Sequence, residues 1–157
     1  MGVVDFELER VVRARVDEVF GRLADIEGHN RWMPRKGSIR RRTEQTSPGD
    51  VVVGTTYVDR TVMGPTPGEV LELDPPRRIV YHWWIRGRSG KLLAEGWPGY
   101  TLEAVDERTT RVRHDSRLET HGPYRLMTPV LRRLAVRERS TTVDALRRSF
   151  EDEDLGF

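Results

Sequence analysis

The strand predicted over residues 110–120 carries two side chains suited to acid–base chemistry. Alternation places Val112, His114, Ser116 and Leu118 on one face and an entirely charged set on the other. We therefore predict that His114 and Ser116 point inward as catalytic residues. An inward imidazole can exchange a proton during enolisation or hydrogen-bond a ligand carbonyl. A core histidine paired with Ser116 or with a water is the alternative, and the sequence leaves both interpretations open.

The strand predicted over residues 78–86 allows two registers. The preferred register turns its more uniformly apolar set inward: Ile79, Tyr81, Trp83 and Ile85. It leaves His82 and Trp84 on the outer face. A slip of one residue would instead bring His82 and Arg86 into the interior beside His114, which would strengthen a catalytic interpretation.

Several kinds of reactive site are missing from the sequence. The chain has no cysteine, which excludes disulfides, thiolate zinc sites and cysteine nucleophiles. Its four histidines show neither the i, i+4 pairing nor the nearby carboxylates typical of metal ligands. Nucleophile elbows, phosphate loops and dinucleotide fingerprints are also absent. We expect neither a metal nor a cofactor.

Length and charge favour one globular domain over residues 1–157. The 27 basic residues are nearly balanced by 25 acidic ones, giving a net charge of +2. The densest basic run, residues 40–42 beside Arg35 and Lys36, is better explained as a solvated strand or loop than as a phosphate-binding patch. We therefore expect no nucleic-acid partner.

Targeting and membrane-spanning signals are not found. Acidic residues follow the first methionine closely, and nowhere do 18 apolar residues follow one another. The sequence predicts a cytoplasmic protein without membrane insertion. We expect a monomer or a weak homodimer.

Apolar spacing and turn signals predict the order of elements. Seven strands are expected, over residues 4–12, 38–44, 52–62, 68–73, 78–86, 92–105 and 110–120. An i, i+3, i+4, i+7 stripe predicts a helix over 16–24, and a further helical turn over 25–32 should end before Pro34. Pro98 cannot donate to a ladder, which predicts a bulge or break within 96–99. Such a bulge could aim Glu95 inward, although a solvent-facing Glu95 is the more common arrangement.

The last predicted element is a long helix ending near Glu151. Thr128 is a good N-cap residue, and Pro129 suits the first turn. One face is apolar through Val130, Leu131, Leu134, Val143, Leu146 and Phe150. We expect the arginines of this helix, Arg139 among them, on the remaining surface. The stretch 138–142 is more polar than a sealed core helix requires.

This order of elements resembles the SRPBCC or START-like superfamily, which includes polyketide cyclases and dehydrases. The resemblance covers nearly the whole chain and rests on these segments: 23–25 (Leu-Ala-Asp), 32–34 (Trp-Met-Pro), 68–70 (Gly-Glu-Val), 74–78 (Asp-Pro-Pro-Arg-Arg) and 109–112 (Thr-Thr-Arg-Val). It implies an α+β, Bet v 1-like helix-grip fold. In that fold a seven-stranded curved antiparallel sheet wraps around a long C-terminal helix, with two short helices between the first two strands.

The resemblance also implies an internal cavity for a hydrophobic small molecule, lying between the sheet and the long helix. It places Trp32, Trp97 and Tyr100 near the cavity mouth, where aromatic rings suit a planar ligand. Plain packing is the alternative for each aromatic residue. The predicted ligand-binding residues are Trp32, Tyr57, Met63, Tyr81, Trp83, Tyr100, Val112, Leu118 and Leu134.

Three functions fit these expectations. The first is binding of an aromatic or polyketide-like compound, with cyclase or dehydrase (aromatase) activity in antibiotic biosynthesis if His114 has a Tyr or Arg partner. The second is a noncatalytic protein that carries, sequesters or confers self-resistance to a hydrophobic, even lipid-like, compound. The third is a protein-interaction module of the chaperone-activator type, which an exposed apolar patch and a collapsed cavity would favour.

Overall fold

Seven antiparallel strands form one sheet in the order β1-β7-β6-β5-β4-β3-β2. The computed structural model describes the backbone of residues 1–154 and the side chains of residues 1–151. The strands are β1 (Gly2–Val12), β2 (Arg40–Gln45), β3 (Thr56–Thr61), β4 (Gly64–Asp74), β5 (Arg78–Arg86), β6 (Leu92–Asp106) and β7 (Thr109–Thr120). The helices are α1 (Val16–Ala24), α2 (His29–Trp32) and α3 (Thr128–Asp154), and a 3-10 helix (Gly122–Met127) precedes α3. The expected helix-grip fold is confirmed. The single domain over 1–157 stays a prediction, and residues 155–157 lie outside the described part.

The two short helices predicted after the first strand are present, and the residue patterns that predicted them explain where they pack and end. The α1 helix buries Val19, Phe20 and Leu23, which are the apolar positions of its stripe. The α2 helix ends at Met33, whose extended backbone (φ −68°, ψ 142°) is the conformation that Pro34 favours in the residue before it. Together α1 and α2 connect β1 and β2, the two edge strands of the sheet.

The β3–β4 hairpin differs from prediction at both of its strands. β3 begins at Thr56 rather than at the predicted residue 52. Val52 and Val53 are exposed and lie before the paired residues of the strand. β4 begins at Gly64, four residues before the predicted start of this strand at residue 68. Its first four residues pair with β3 alone, since the pairing with β5 starts at Gly68. One-sided pairing accommodates Pro65 and Pro67, which lack an amide hydrogen.

Pro98 interrupts pairing without shifting the register. The β5–β6 ladder has Val80 opposite Gly99 and Trp83 opposite Gly96, with no paired residues between them. These two pairs share one register, so the predicted bulge within 96–99 is wrong. The interruption affects the ladder with β5 alone, because β6 itself is continuous and pairs with β7 from Gly96 to Gly99. The bulges of β6 lie nearer its ends, between Ile85 and Arg86 on the β5 side and between Ala104 and Asp106 on the β7 side.

The long helix α3 packs unevenly against the sheet. Val143, Leu146 and Phe150 in its second half are buried in the main core, whereas Val130 and Leu134 in its first half are exposed. Thr128 is helical (φ −51°, ψ −44°), and its hydroxyl donates to the Arg125 carbonyl at 2.6 Å. It therefore joins the 3-10 helix to α3 rather than acting as the predicted N-cap. Loose packing of the first half leaves space between helix and sheet.

Candidate functional site

A cavity of about 230 Å³ lies between the inner face of the sheet and α3. One wall is apolar, with Trp83 and Leu118 from the sheet and Leu131 and Ala135 from α3 in contact as a cluster. Another wall is polar and holds charged groups from three elements: Arg40, Asp59, Glu138 and Arg139. The cavity therefore offers a ligand both apolar surface and a localised set of charges.

Three side chains from different elements form one hydrogen-bonded group beside this cavity, which we call the Arg139 cluster. It consists of Arg139 on α3, His114 on β7 and Tyr100 on β6. The Nε–H of Arg139 donates to Nε2 of His114 at 2.8 Å, and its Nη2 donates to the Tyr100 hydroxyl. The rings of Tyr100 and His114 stack, with centroids 4.3 Å apart and 24° between planes. Arg139 is thereby fixed in position by two buried rings.

His114 is a neutral imidazole in this cluster. Its Nδ1 lies 2.8 Å from the Gly99 carbonyl oxygen, so Nδ1 carries the hydrogen and Nε2 accepts from Arg139. Burial, followed by the charge of Arg139, holds the pKa of His114 well below its usual range. Its exposed fraction is 0 %, and it lies behind the cavity wall rather than on it. A ligand would meet Tyr100 and Arg139 before His114.

The inward register predicted for β7 is confirmed. The inward-facing residues of this strand have different surroundings. Ser116 and Leu118 line the cavity, whereas Val112 belongs to the closed core with an exposed fraction of 1 %. The partners of His114 are a backbone carbonyl and Arg139, not Ser116 as one interpretation expected. The catalytic roles of His114 and Ser116 stay predictions.

Among the described residues, Arg139 forms no ion pair with a carboxylate, although its charge acts on Asp59 in the same cavity. Within residues 1–151, no carboxylate oxygen lies within 4.0 Å of its guanidinium. The residue lines the cavity, and its charge opposes the rise that burial causes in the pKa of Tyr100. Sequence reasoning placed Arg139 on the outer surface, because helical periodicity assigns charged residues there. The polar stretch 138–142 was the signal that could have found it.

Arg40 and Asp59 form a second polar group on the cavity wall. The buried Arg40 donates from Nη1 to the Asn30 side-chain oxygen (3.1 Å) and to the Thr43 hydroxyl oxygen (3.2 Å). That hydroxyl donates in turn to Oδ1 of Asp59 at 2.5 Å. Burial raises the pKa of Asp59, and the Thr43 hydrogen bond and the Arg40 charge oppose the rise. Asp59 is thus the cavity carboxyl best suited to exchange a proton.

The preferred register of β5 is also confirmed. Tyr81, Trp83 and Ile85 line the cavity, and His82 lies on the outer face. The Tyr81 hydroxyl donates to the Leu23 carbonyl at 2.5 Å, and its ring meets that of Tyr57 edge to face with centroids 5.6 Å apart. Burial raises the pKa of both tyrosines well above the usual range, so both remain neutral donors.

Two glycines make room for aromatic rings of the cavity. A Cβ on Gly96 would lie 2.5 Å from the Trp83 indole, and a Cβ on Gly68 would lie 2.4 Å from the Tyr57 ring. Both distances are far shorter than a carbon–carbon contact permits. The missing side chains of these glycines therefore set where the two rings stand.

Two predicted positions of aromatic residues are wrong. Trp32 lies in a separate surface groove, where its ring packs edge-on against His29 at 5.6 Å. His29, three residues earlier on α2, is the residue that reaches the cavity. Trp97 stacks on His82 at 5.1 Å on the outer face of the sheet. Alternation along β6 turns its neighbour Pro98 inward, which sends Trp97 outward.

The remaining predicted ligand residues, Tyr57, Met63 and Leu134, also line the cavity. Met63 and Leu134 are exposed and stand at its mouth. Within the described residues, no group of three His, Asp or Glu side chains is placed to hold a metal ion. No helix in the described part of the chain is long and apolar enough to cross a membrane.

On the outer face, His82 joins two carboxylates. Its Nδ1 lies 3.3 Å from Glu69 and its Nε2 lies 3.0 Å from Glu95. The other oxygen of Glu95 lies 3.4 Å from Nε2 of His121, just before the 3-10 helix. Glu95 therefore faces outward, as the more common interpretation expected, and this group is separated from the cavity by the sheet.

Comparison with solved structures agrees with this architecture. The Zhui aromatase/cyclase from Streptomyces sp. R1128 is 15% identical, with a TM-score of 0.73 over 95% of this chain and 94% of that one. A START superfamily protein from Mycobacterium smegmatis is 14% identical, with a TM-score of 0.68 over 97% and 99% of the two chains. The di-domain ARO/CYC StfQ from the steffimycin biosynthetic pathway is 20% identical, with a TM-score of 0.69 over 99% of this chain and 52% of that one.

These identities are too low to transfer an activity, and they show the shared fold alone. No curated protein matches the sequence. The sequence of residues 3–151 does match one protein family, described as polyketide cyclase / dehydrase and lipid transport. Because that match spans nearly the whole chain, and because the fold is that of the START-like superfamily, the protein belongs to the polyketide cyclase/dehydrase and lipid transport family.

Proposed function

We propose that the protein binds a small aromatic or polyketide-like compound in its central cavity, with an oxygen of the ligand held by Arg139. The observation that carries this proposal is the guanidinium of Arg139, fixed by His114 and Tyr100 and without a carboxylate within 4.0 Å among the described residues. A partly buried cation that lacks a direct ion pair favours an anionic or strongly polarised ligand oxygen. Phenolate, enolate and carboxylate groups all satisfy that requirement.

The cavity volume limits the size of the ligand. About 230 Å³ is below the roughly 300–1,000 Å³ that is usual for sites holding drug-sized molecules. We therefore propose a compact ligand of about two or three fused rings rather than a long-chain lipid. Its rings would contact Tyr57, Tyr81, Trp83 and Leu118, with Met63 and Leu134 at the entrance.

Cyclase or dehydrase chemistry fits the same arrangement. In an aldol closure, a base removes a C–H proton, the enolate carbon attacks a ketone carbon, and the new alkoxide takes up a proton. Loss of the hydroxyl and a neighbouring C–H proton as water then yields the conjugated ring. Arg139 would stabilise the enolate oxygen, and Asp59, whose pKa burial raises, would exchange the protons. The aromatase/cyclase neighbours support this chemistry and a role in antibiotic biosynthesis.

A noncatalytic carrier or self-resistance protein is the second candidate. Both ring nitrogens of His114 are engaged within the protein, so the histidine expected to move protons is occupied. Under this proposal the Arg139 cluster only recognises the ligand. A chaperone-activator role receives less support, since the cavity is open rather than collapsed. We also propose a cytoplasmic location and a monomer or weak homodimer, the latter testable by sedimentation.

The test is a titration with three matched two-ring compounds: naphthoate, naphthol and naphthalene. The purified wild-type protein should bind the oxygen-bearing compounds about 10- to 100-fold more tightly than naphthalene, because a hydrogen bond to a charged group adds that much. Arg139→Leu should lose this preference, whereas Arg137→Gln on the exposed side of the same helix should keep it. Equal or absent binding of all three compounds by the wild type would refute the proposal.

A further inference from the structure

The start of α3 and the 3-10 helix before it carry basic and apolar side chains in the same exposed surface. The segment from His121 to Arg137 holds no Asp or Glu. We define the basic–apolar rim as the exposed arginine and large apolar side chains of this segment: Arg125, Leu126, Met127, Val130, Arg132, Arg133, Leu134 and Arg137. The rim concentrates positive charge in a chain whose net charge is only +2.

Several large apolar side chains of the rim are strongly exposed. Leu126 is 80% exposed and Val130 is 63% exposed. Met127, Val130 and Leu134 follow i, i+3, i+7 spacing, so they form one ridge along the helix. Arg133 and Arg137 lie three and seven residues after Val130 and therefore border the same ridge. Large apolar side chains clustered in this way mark a surface that binds a membrane or another protein.

The rim borders the mouth of the cavity. Leu134 belongs both to the rim and to the cavity lining. Leu131 and Tyr124, from the same segment, line the cavity as well. Met63, in the β3–β4 turn, lines the same cavity from the sheet side and is 68% exposed. The apolar surface thus continues from the rim through the mouth into the interior.

Within the part of the chain whose side chains are described, the arginines of the rim form no ion pairs with acidic residues. Among the described residues, no carboxylate lies within 4.0 Å of the guanidinium of Arg125, Arg132, Arg133 or Arg137. Four uncompensated cations favour a negatively charged partner. They disfavour a second copy of this chain docked rim to rim, because like charges would then face each other.

We propose that the basic–apolar rim docks the protein on an anionic lipid surface, with the cavity mouth turned toward the bilayer. Leucine, methionine and valine side chains on a short helical ridge insert into the headgroup boundary, while adjacent arginines contact lipid phosphates. This peripheral binding needs no membrane-spanning helix. An acidic protein would satisfy the charges equally well, but single protruding side chains such as Leu126 suit a fluid interface better than a preformed partner surface.

The experiment is co-sedimentation of the full chain with vesicles of phosphatidylcholine containing either 30% phosphatidylglycerol or none. The wild type should bind the anionic vesicles and be released as salt rises, because the attraction is screened. Arg132→Gln with Arg133→Gln should weaken the partition coefficient about 25-fold, at about fivefold per arginine. Leu126→Ser with Val130→Ser should weaken it about tenfold through the lost apolar contact.

Matched controls are Arg13→Gln with Arg88→Gln, and Val105→Ser with Leu71→Ser, all exposed positions outside the rim. These should bind vesicles like the wild type, and every variant should keep its naphthoate affinity, which separates this inference from the proposed function. Absence of wild-type binding to anionic vesicles would overturn the proposal. So would equal loss in the rim and control variants, and such results would leave an acidic protein as the partner to pursue.

Discussion

The Nε–H of Arg139 donates to Nε2 of His114 across 2.8 Å, which joins the long helix α3 to strand β7 inside the protein. This bond accounts for the tautomer of His114, since the Gly99 carbonyl already takes the Nδ1 hydrogen. It also accounts for the orientation of the guanidinium toward the cavity. Under the proposed function, His114 would act as a positioning residue, and Arg139, which lines the cavity, would be the group that a ligand contacts.

Two substitutions of Arg139 should distinguish the effect of its positive charge from the effect of its planar pair of donors. Arg139→Leu leaves Nε2 of the buried His114 without a donor, which costs about 1–3 kcal/mol of unfolding free energy. It should also abolish the preference for naphthoate over naphthalene. Arg139→Lys keeps the charge without the planar pair of donors, so we expect it to retain a weakened preference. Calorimetric titration and urea denaturation measure the two effects, and an unchanged preference in Arg139→Leu would contradict the assignment.

His114→Ala should destabilise the protein, because the imidazole is fully buried and bonded on both sides. We expect a loss of about 2–4 kcal/mol in unfolding free energy. His114→Gln is the matched control, since its side-chain oxygen can still accept from Arg139. If His114 only positions Arg139, the Gln variant should bind naphthoate within a few fold of the wild type. Loss of binding in Gln and Ala alike would indicate direct ligand contact by the imidazole.

Asp59→Asn distinguishes an enzyme from a carrier. The amide oxygen of Asn can accept from Thr43 as the carboxylate does, so the fold and ligand binding should be retained. Turnover of an enolisable diketone should fall by about 10²–10⁴ if Asp59 exchanges the proton. In the wild type, the acidic limb of this activity should titrate above the usual carboxyl range, because burial raises the pKa of Asp59 and the carboxyl must be ionised to remove the C–H proton. Unchanged turnover in Asp59→Asn would remove Asp59 from the mechanism.

Sequence alternation predicted the sheet well because its inner and outer faces differ sharply in polarity. On β7 every outward position from Arg111 to Glu119 is charged, so only one register of His114 and Ser116 was possible. On β5 both faces carry a tryptophan, and the apolar Ile79 and Ile85 decided the register correctly. The presence of seven strands and their sequence along the chain thus follow from local patterns, whereas their arrangement in one curved sheet was implied by the family resemblance.

The polar half of the site could not be predicted in the same way. Helical periodicity treats Arg139 as a surface residue, and only three-dimensional packing shows that the helix turns it toward Tyr100 and His114. Arg40 looked like one member of a solvated basic run, yet it is buried among oxygen acceptors from α2 and β2. Trp32 was placed at the cavity by resemblance, and the short α2 helix turns His29 inward instead.

Stability should fall in mild acid because of His29. Burial lowers the pKa of this residue to about 4, with Nε2 bonded to the Leu23 carbonyl at 2.8 Å. A histidine with a folded-state pKa below its unfolded value of 6.5 loses stability as pH falls between the two. The loss from His29 amounts to about 3 kcal/mol by pH 4, and His114 adds to it in the same direction. The raised pKa of Asp59 acts in the opposite sense near the acid end.

Urea denaturation at pH 7.5, 6.0 and 5.0 checks this dependence. His29→Gln removes the titrating group and should flatten the decline, while His82→Gln on the outer face serves as the histidine control. A wild-type unfolding free energy that stays constant from pH 7.5 to 5.0 would show that the buried histidines do not titrate as their surroundings indicate.

Gly96→Ala should change the shape of the cavity from the strand behind it. The added methyl would lie 2.5 Å from the Trp83 indole, which must move toward the interior because the neighbouring backbone of β5 and β6 is paired on both sides. We expect a loss of about 1–3 kcal/mol in unfolding free energy from the overpacking, and weaker binding of naphthoate.

Gly21→Ala is the matched control, because a Cβ there meets nothing within 4 Å on α1. It should raise stability by about 0.5–1 kcal/mol and leave binding unchanged. Adding Trp83→Phe to Gly96→Ala shortens the displaced ring and should restore affinity. Failure of this double variant to recover binding would mean that Trp83 does not border the ligand.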